Sequence, residues 1–244
     1  MYWMPGITCI YGSFTRNSRP GLLGQVFKTL RYSIKHNGWY NKIGLRNCGI
    51  ETEMNNMGKS LFAKTHRNNV VSLAILCEDE IDDMVKIVGN DTNLEINVSC
   101  PNTDGDMVNT KIEKFINPDR RFCSIKLRPT TSFEEIDKYY NMGFRTFNFS
   151  NTLKYVVNGI TLGGLSGITL VPYTEKLVAY TRATYGDKVE IIAGGGVRNM
   201  ETAKRYMDVG ADHISVSTLC FNPIMFLMFY FQFDENYKVI QSID

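Results

Sequence analysis

The sequence predicts an α/β protein of the (β/α)8 TIM-barrel type, with seven of the eight strands evident. Three observations carry that prediction. Short, apolar, β-rich runs alternate with amphipathic stretches of helical period along all 244 residues. Each helical stretch ends within two residues of a glycine (Gly38, Gly89, Gly143, Gly186, Gly210), the residue that most easily enters the left-handed turn closing a helix. The length, with 43% hydrophobic and 21% charged content, suits one barrel domain over residues 1–244.

In order, the first predicted strand covers residues 7–14, and residues 13–21 are turn chemistry. A helix is expected over 25–36, and residues 41–47 place a short apolar pair around Gly44 between carboxamides. Strand 70–76 leads into helix 78–88, and strand 94–98 follows. Strand 122–127 precedes a helix over 132–141, which Ser132 and Glu135 open as a capping box. Strand 146–149 leads to helix 173–185, and strand 190–193 to helix 200–209, capped by Asn199. Strand 213–216 is the last. Residues 221–233 are apolar and aromatic but too short to span a bilayer. They read as a C-terminal core helix, with a dimer or membrane-surface patch as the other reading. That makes seven strands, the first entered after only Met1 to Gly6. One strand is supplied irregularly, the barrel is open, or a partner chain covers the gap.

A net charge of +2 with no evident basic cluster argues against nucleic acid as a partner. Six cysteines without a C-x-x-C pair, and three histidines without metal-ligand spacing, argue against a metal site. With no signal peptide or integral membrane segment to read, a reduced, cytoplasmic location is expected.

The most informative stretch is 94–102. Leu94, Ile96 and Val98 alternate with Glu95, Asn97 and Ser99, and Pro101 then stops the strand. Cys100 and Asn102 therefore stand just past its C-terminal end, where parallel α/β proteins bind ligands. A thiol and two carboxamides there can hold a planar, amide-rich molecule and remove its proton; a plain core strand with an inert cysteine is the alternative. Lys126 lies within an apolar strand, where an ammonium needs an anion or cofactor, or must reach the barrel end. Residues 147–152 end their strand with Ser150, Asn151 and Thr152. Gly194-Gly195-Gly196 opens a helix, and Ser215-Val216-Ser217-Thr218 ends the next strand. Such loops late in a barrel commonly bind phosphate. Gly163 to Gly167 adds a third small-residue loop, and Asn97, Asn102, Asn151, Lys126 and Cys100 should meet at one rim.

Asn97-Val98-Ser99-Cys100-Pro101-Asn102-Thr103 resembles the signature of the dihydroorotate dehydrogenases, and the other segments fall in that family's order over nearly the whole chain. The resemblance implies a (β/α)8 barrel holding FMN at its C-terminal rim, and oxidation of dihydroorotate to orotate in pyrimidine biosynthesis. By motif, Cys100 would take the C5 proton while the C6 hydride passes to the flavin. Asn41, Gly44, Leu45, Asn97, Asn102, Asn151 and Thr152 would hold the pyrimidine. Ser13, Asn97, Lys126, Ser150, Gly167, Gly195, Gly196, Ser217 and Thr218 would hold FMN, with Lys126 near the N1/O2 edge.

The chain also departs from the pattern. The family's first strand and its substrate lysine are not found, Gly12 standing at one of that lysine's positions. The loop after Asn102 is shorter than the family's lid, and Ser217 replaces a common glycine. Two readings stay open: a flavin oxidoreductase, homodimeric or not, and a non-catalytic barrel homologue that binds a partner. A dihydrouridine synthase-like barrel would need a basic face for RNA.

Overall fold

The computed structural model describes Met4 and residues 6–59, 69–98 and 111–236. In chain order the elements begin β1 (Cys9–Phe14), α1 (Leu22–Thr29), β2 (Arg31–Ser33), β3 (Gly38–Asn41), α2 (Ile50–Lys59) and β4 (Asn69–Ala74). They continue α3 (Ile81–Val88), β5 (Leu94–Asn97), β6 (Cys123–Lys126), α4 (Phe133–Asn141), β7 (Thr146–Phe149), β8 (Leu153–Val157) and β9 (Ile160–Leu165). The last are α5 (Val171–Tyr185), β10 (Glu190–Gly194), α6 (Met200–Asp208), β11 (His213–Ser215) and α7 (Pro223–Asn236).

Seven strands pair in parallel in the order β1-β4-β5-β6-β7-β10-β11. Their register sorts side chains onto two faces. Leu73, Ile96, Ile125, Phe147 and Ile191 lie level with one another and are fully buried. They belong to the same core as Ile136 of α4 and Val178 of α5. The other face is polar: Ser72, Glu95, Ser124, Thr146 and Glu190 form one level, and Asn97, Lys126 and Asn148 the next. Three hydrogen bonds on this polar face skip a strand, Ser13 to Asn97, Glu95 to Asn148 and Asn97 to Asn151. Neighbouring strands sit about 4.8 Å apart, so next-but-one side chains meet only on the concave side of a curled sheet. The polar face is therefore the barrel lumen.

Among the described residues nothing pairs β11 with β1. Among the described residues the curled sheet is therefore open along one seam, as a barrel lacking a strand would be. Ile10 on β1 is 37% exposed at that seam.

The capping predictions hold. Ser132 and Glu135 form the capping box of α4, and Asn199 accepts from the Thr202 N–H at the start of α6. The expected helix over 25–36 does not. The chain leaves α1 at Leu30 in an extended conformation, and Arg31–Ser33 pairs antiparallel with Gly38–Asn41. Tyr32 and Trp39, opposite each other, meet edge to face at 5.3 Å. This cross-strand aromatic contact outweighs the helical pattern, and Gly38 is thereby a strand residue, not a helix stop.

Four strands, β2-β3-β9-β8, form a second, antiparallel sheet that the sequence reading overlooked. Its β8–β9 turn is Asn158-Gly159, with φ of 50° and 78°, the doubly left-handed geometry of a two-residue hairpin. Helix α2 was also overlooked. Helix α7 begins in the apolar stretch at 221–233 and runs past it to Asn236. Phe226 and Phe229 are buried, as a core helix requires, while Ile224, Met228 and Phe231 are exposed. Among the described residues no helix is long and apolar enough to cross a membrane. The basic residues do cluster, contrary to expectation: seven Lys and Arg and no Asp or Glu fall within residues 1–50. The low net charge conceals this, because residues 51–244 carry 20 basic against 25 acidic side chains.

Candidate active site

The C-terminal ends of the parallel strands carry a connected polar group on the lumen side. At its base is Glu95, whose side chain is wholly inaccessible to solvent. Ser72 Oγ donates to Glu95 Oε1 at 2.8 Å, and Asn148 Nδ2 donates to Oε2 at 2.5 Å. Lys126 Nζ lies 3.4 Å from Oε1. Each carboxylate oxygen thus has a donor, and the buried charge has a cation beside it, the conditions under which a carboxylate can stay inside a fold. The lysine that sequence reading left in need of an anion has one within the protein.

One level higher, Asn97 Nδ2 donates to Ser13 Oγ at 2.9 Å, and Asn97 Oδ1 accepts from Asn151 Nδ2 at 3.2 Å. Ser13 and Ser72 share a 2.7 Å hydrogen bond, which links the two levels. Ser13, Asn97, Lys126 and Asn151, predicted from four separate strands, are thus brought together. Asn148 Oδ1 and Ser124 Oγ are buried on the same lumen face without a hydrogen-bond partner among the described residues. Cys100 and Asn102 lie outside the described residues.

The glycine loops meet by backbone contact. A Cβ on Gly167 would lie 2.6 Å from Gly38 Cα, and one on Gly196 would lie 2.7 Å from the Gly167 carbonyl oxygen. Gly38, Gly167 and Gly196 therefore stack, joining the antiparallel sheet to the rim. A Cβ on Gly194 would press on the side chains of Ser150 and Ser215 at 2.7 and 2.9 Å. Gly195 has φ 90°, and its carbonyl accepts from Tyr206 at 2.6 Å. Asn41 runs beside Gly164, and Thr152 follows Asn151, whose Oδ1 accepts from the Thr152 N–H. Gly44 and Leu45 are held in a separate loop, their carbonyls accepting from Arg19 Nε and Asn47 Nδ2 respectively. Ser217 is exposed and precedes the short helix that begins at Thr218.

The family model described as dihydroorotate dehydrogenase matches residues 8–228. The chain belongs to the dihydroorotate dehydrogenase family. It is 30% identical over 149 residues to the dihydroorotate dehydrogenase B (NAD(+)) catalytic subunit of Methanopyrus kandleri, covering 51% of this chain and 47% of that one. The corresponding subunit of Malacoplasma penetrans is 25% identical over 223 residues, 80% of this chain and 71% of that one. The chain thus spans about half the length of the first relative. The fold matches ligand-free dihydroorotate dehydrogenase of Eimeria tenella with a TM-score of 0.69 at 19% identity, covering 93% of this chain and 78% of that one.

Within this family member, sequence reasoning missed Ser72, Glu95 and Asn148. The signal was present: each is a single polar residue between two apolar ones in a strand (Val71-Ser72-Leu73, Leu94-Glu95-Ile96, Phe147-Asn148-Phe149). Period-two alternation marks such residues as facing away from the aliphatics, but not as facing one another.

Proposed function

We propose that the chain is an FMN-dependent oxidoreductase of dihydroorotate dehydrogenase type, acting in the cytoplasm as one barrel unit over residues 1–244. The observation that carries this reading is the group at the strand ends, Ser13–Asn97–Asn151 above Glu95–Lys126, within a chain of that family. Its chemistry fits a flavin. Hydroxyl, carboxamide and ammonium donors suit a carbonyl-rich ring, and the buried, unsatisfied Asn148 Oδ1 can accept from a ring N–H. FMN, when bound, would supply the two-electron acceptor.

The chain's own residues do the rest. Lys126 would hold positive charge against the ring's N1/O2 edge, with Glu95 fixing the ammonium in place. Ser13, Ser150, Gly167, Gly195, Gly196, Ser217 and Thr218 complete the proposed flavin contacts. Asn97 and Asn151, already bonded to each other, would orient the pyrimidine with Asn41, Gly44, Leu45, Asn102 and Thr152. Cys100 would remove the C5 proton, a thiol being a usable base near neutral pH. Two copies would pair through the exposed apolar side of α7.

The test is spectroscopic. Purified protein should be yellow, with about one FMN per chain as a matter of stoichiometry. Anaerobic dihydroorotate should bleach it, and Cys100→Ala should suppress the bleaching while leaving the flavin bound. A colourless protein that takes up no added FMN overturns the reading in favour of a non-catalytic homologue.

A further inference from the structure

Helix α1 is amphipathic in the inverted sense. Its polar side faces the protein: Gln25 Nε2 donates to the Lys42 carbonyl at 2.9 Å, and Thr29 Oγ1 accepts from the Lys42 N–H at 3.1 Å. Its apolar side faces solvent. Leu23 and Phe27, one turn apart, are 73% and 79% exposed, and no residue of the helix is buried. Beyond the helix, Ile34 in the β2–β3 turn is 89% exposed. A helix folded only by its hydrophobic face would be turned the other way, because burying a leucine or phenylalanine is worth about 1.5–3 kcal/mol.

The charge around this apolar face is of one sign. Lys28, Arg31, Lys35 and Lys42 are all exposed, and the segment contains no carboxylate to offset them. From these two independent observations we propose that α1 and the β2–β3 turn form a peripheral docking surface for an anionic lipid bilayer. Leu23, Phe27 and Ile34 would enter the acyl boundary, and the four cations would lie among the headgroups. Apolar insertion together with basic flanks is the combination that interfacial helices use. A second copy of the chain suits the face less well, since it would set these cations against their own duplicates. A single-stranded nucleic acid could stack on Phe27 and Tyr32 but would leave Leu23 and Ile34 in water, whereas a bilayer takes up all of them.

The full-length chain is tested by co-sedimentation with vesicles of phosphatidylcholine mixed with phosphatidylglycerol, against phosphatidylcholine alone. Binding to the anionic vesicles should be at least about tenfold tighter and should weaken with salt, each surface cation contributing roughly fivefold. Leu23→Ser with Phe27→Ser should lose binding by about tenfold or more, and Lys28→Glu with Arg31→Glu should do the same. The thermal midpoint of the Leu23/Phe27 variant should stay unchanged, because neither side chain is buried, while the Lys28/Arg31 variant should fall slightly as Arg31 gives up its bonds to the Phe27 and Leu30 carbonyls. Absence of vesicle binding overturns the proposal, as does undiminished binding by the Leu23/Phe27 variant. Binding to single-stranded RNA but not to vesicles also overturns it. So does a vesicle-independent dimer that the same variant converts to monomer.

Discussion

Lys126 and Glu95 stand on adjacent strands with 3.4 Å between ammonium nitrogen and carboxylate oxygen, the glutamate side chain sealed from solvent and the lysine side chain 23% exposed. The pair couples the floor of the lumen to its rim. It means that Lys126 keeps a fixed position before any ligand arrives, which is what preorganised electrostatic stabilisation requires.

Glu95→Gln should therefore weaken both the fold and the site. It removes the counter-charge of Lys126 and leaves Ser72 and Asn148 to rebond to a neutral amide. Loss of one member of a buried pair costs about 3–5 kcal/mol, and the partial exposure of Lys126 lowers the expectation to roughly 2–3 kcal/mol. Urea denaturation measures this. Adding Lys126→Met should recover part of the stability but not FMN retention.

Asn97→Ala removes the link between Ser13 and Asn151. With two hydrogen bonds lost at the proposed ligand face, flavin reduction by dihydroorotate should slow by about ten- to a hundredfold. Anaerobic stopped-flow absorbance gives the rate, and an unchanged rate would remove Asn97 from the proposed site.

Gly167 and Gly24 predict opposite outcomes for the same change. Gly167→Ala forces a Cβ within 2.6 Å of Gly38 Cα at a φ of 120°, and should cost more than about 2 kcal/mol. Gly24→Ala meets no neighbouring atom, in the interior of α1, and should stabilise by about 0.5–1 kcal/mol. Thermal or urea midpoints of the two variants separate these directions.

Burial pushes the Cys123 thiol up to about 12 from an ordinary value of 9.0. The unfolded chain ionises this thiol first, so it binds fewer protons than the folded chain between those two values. Stability should fall as pH rises through that window, by roughly 1.4 kcal/mol at one unit above the ordinary value from this group alone. Cys123→Ala should reduce the slope of urea stability against pH above about pH 9. A slope unchanged by the substitution would assign the loss to the other buried acids, of which Tyr139 is likewise pushed up to about 12.

The parallel strands were legible because their outward sides are continuous apolar rows, as in Leu94-x-Ile96 and Ile125 beside Phe147, and burial against helices demands that pattern. The Ser132–Glu135 box and the Asn199 cap were legible because capping is decided within four residues. The β8–β9 hairpin was equally written in Val157-Asn158-Gly159-Ile160, a left-handed turn pair between β-branched residues, although it went unread.

Other features depend on distance in the chain. Asn97 and Lys126 drew attention singly, yet Ser72, Glu95 and Asn148 take on meaning only when a curled sheet brings next-but-one strands together on its concave side. The glycines at 38, 167 and 196 look like turn residues in sequence, whereas the fold uses them to let three backbones touch. By itself the sequence determined which residues of the parallel strands face the helices and where the two capped helices, α4 and α6, start, since those depend on local periodicity and caps. Tertiary structure alone decided which polar side chains meet, that β11 and β1 do not pair among the described residues, and that α1 turns its leucine and phenylalanine to solvent. Those outcomes rest on long-range pairing and charge placement, for which no short stretch of the chain holds the information.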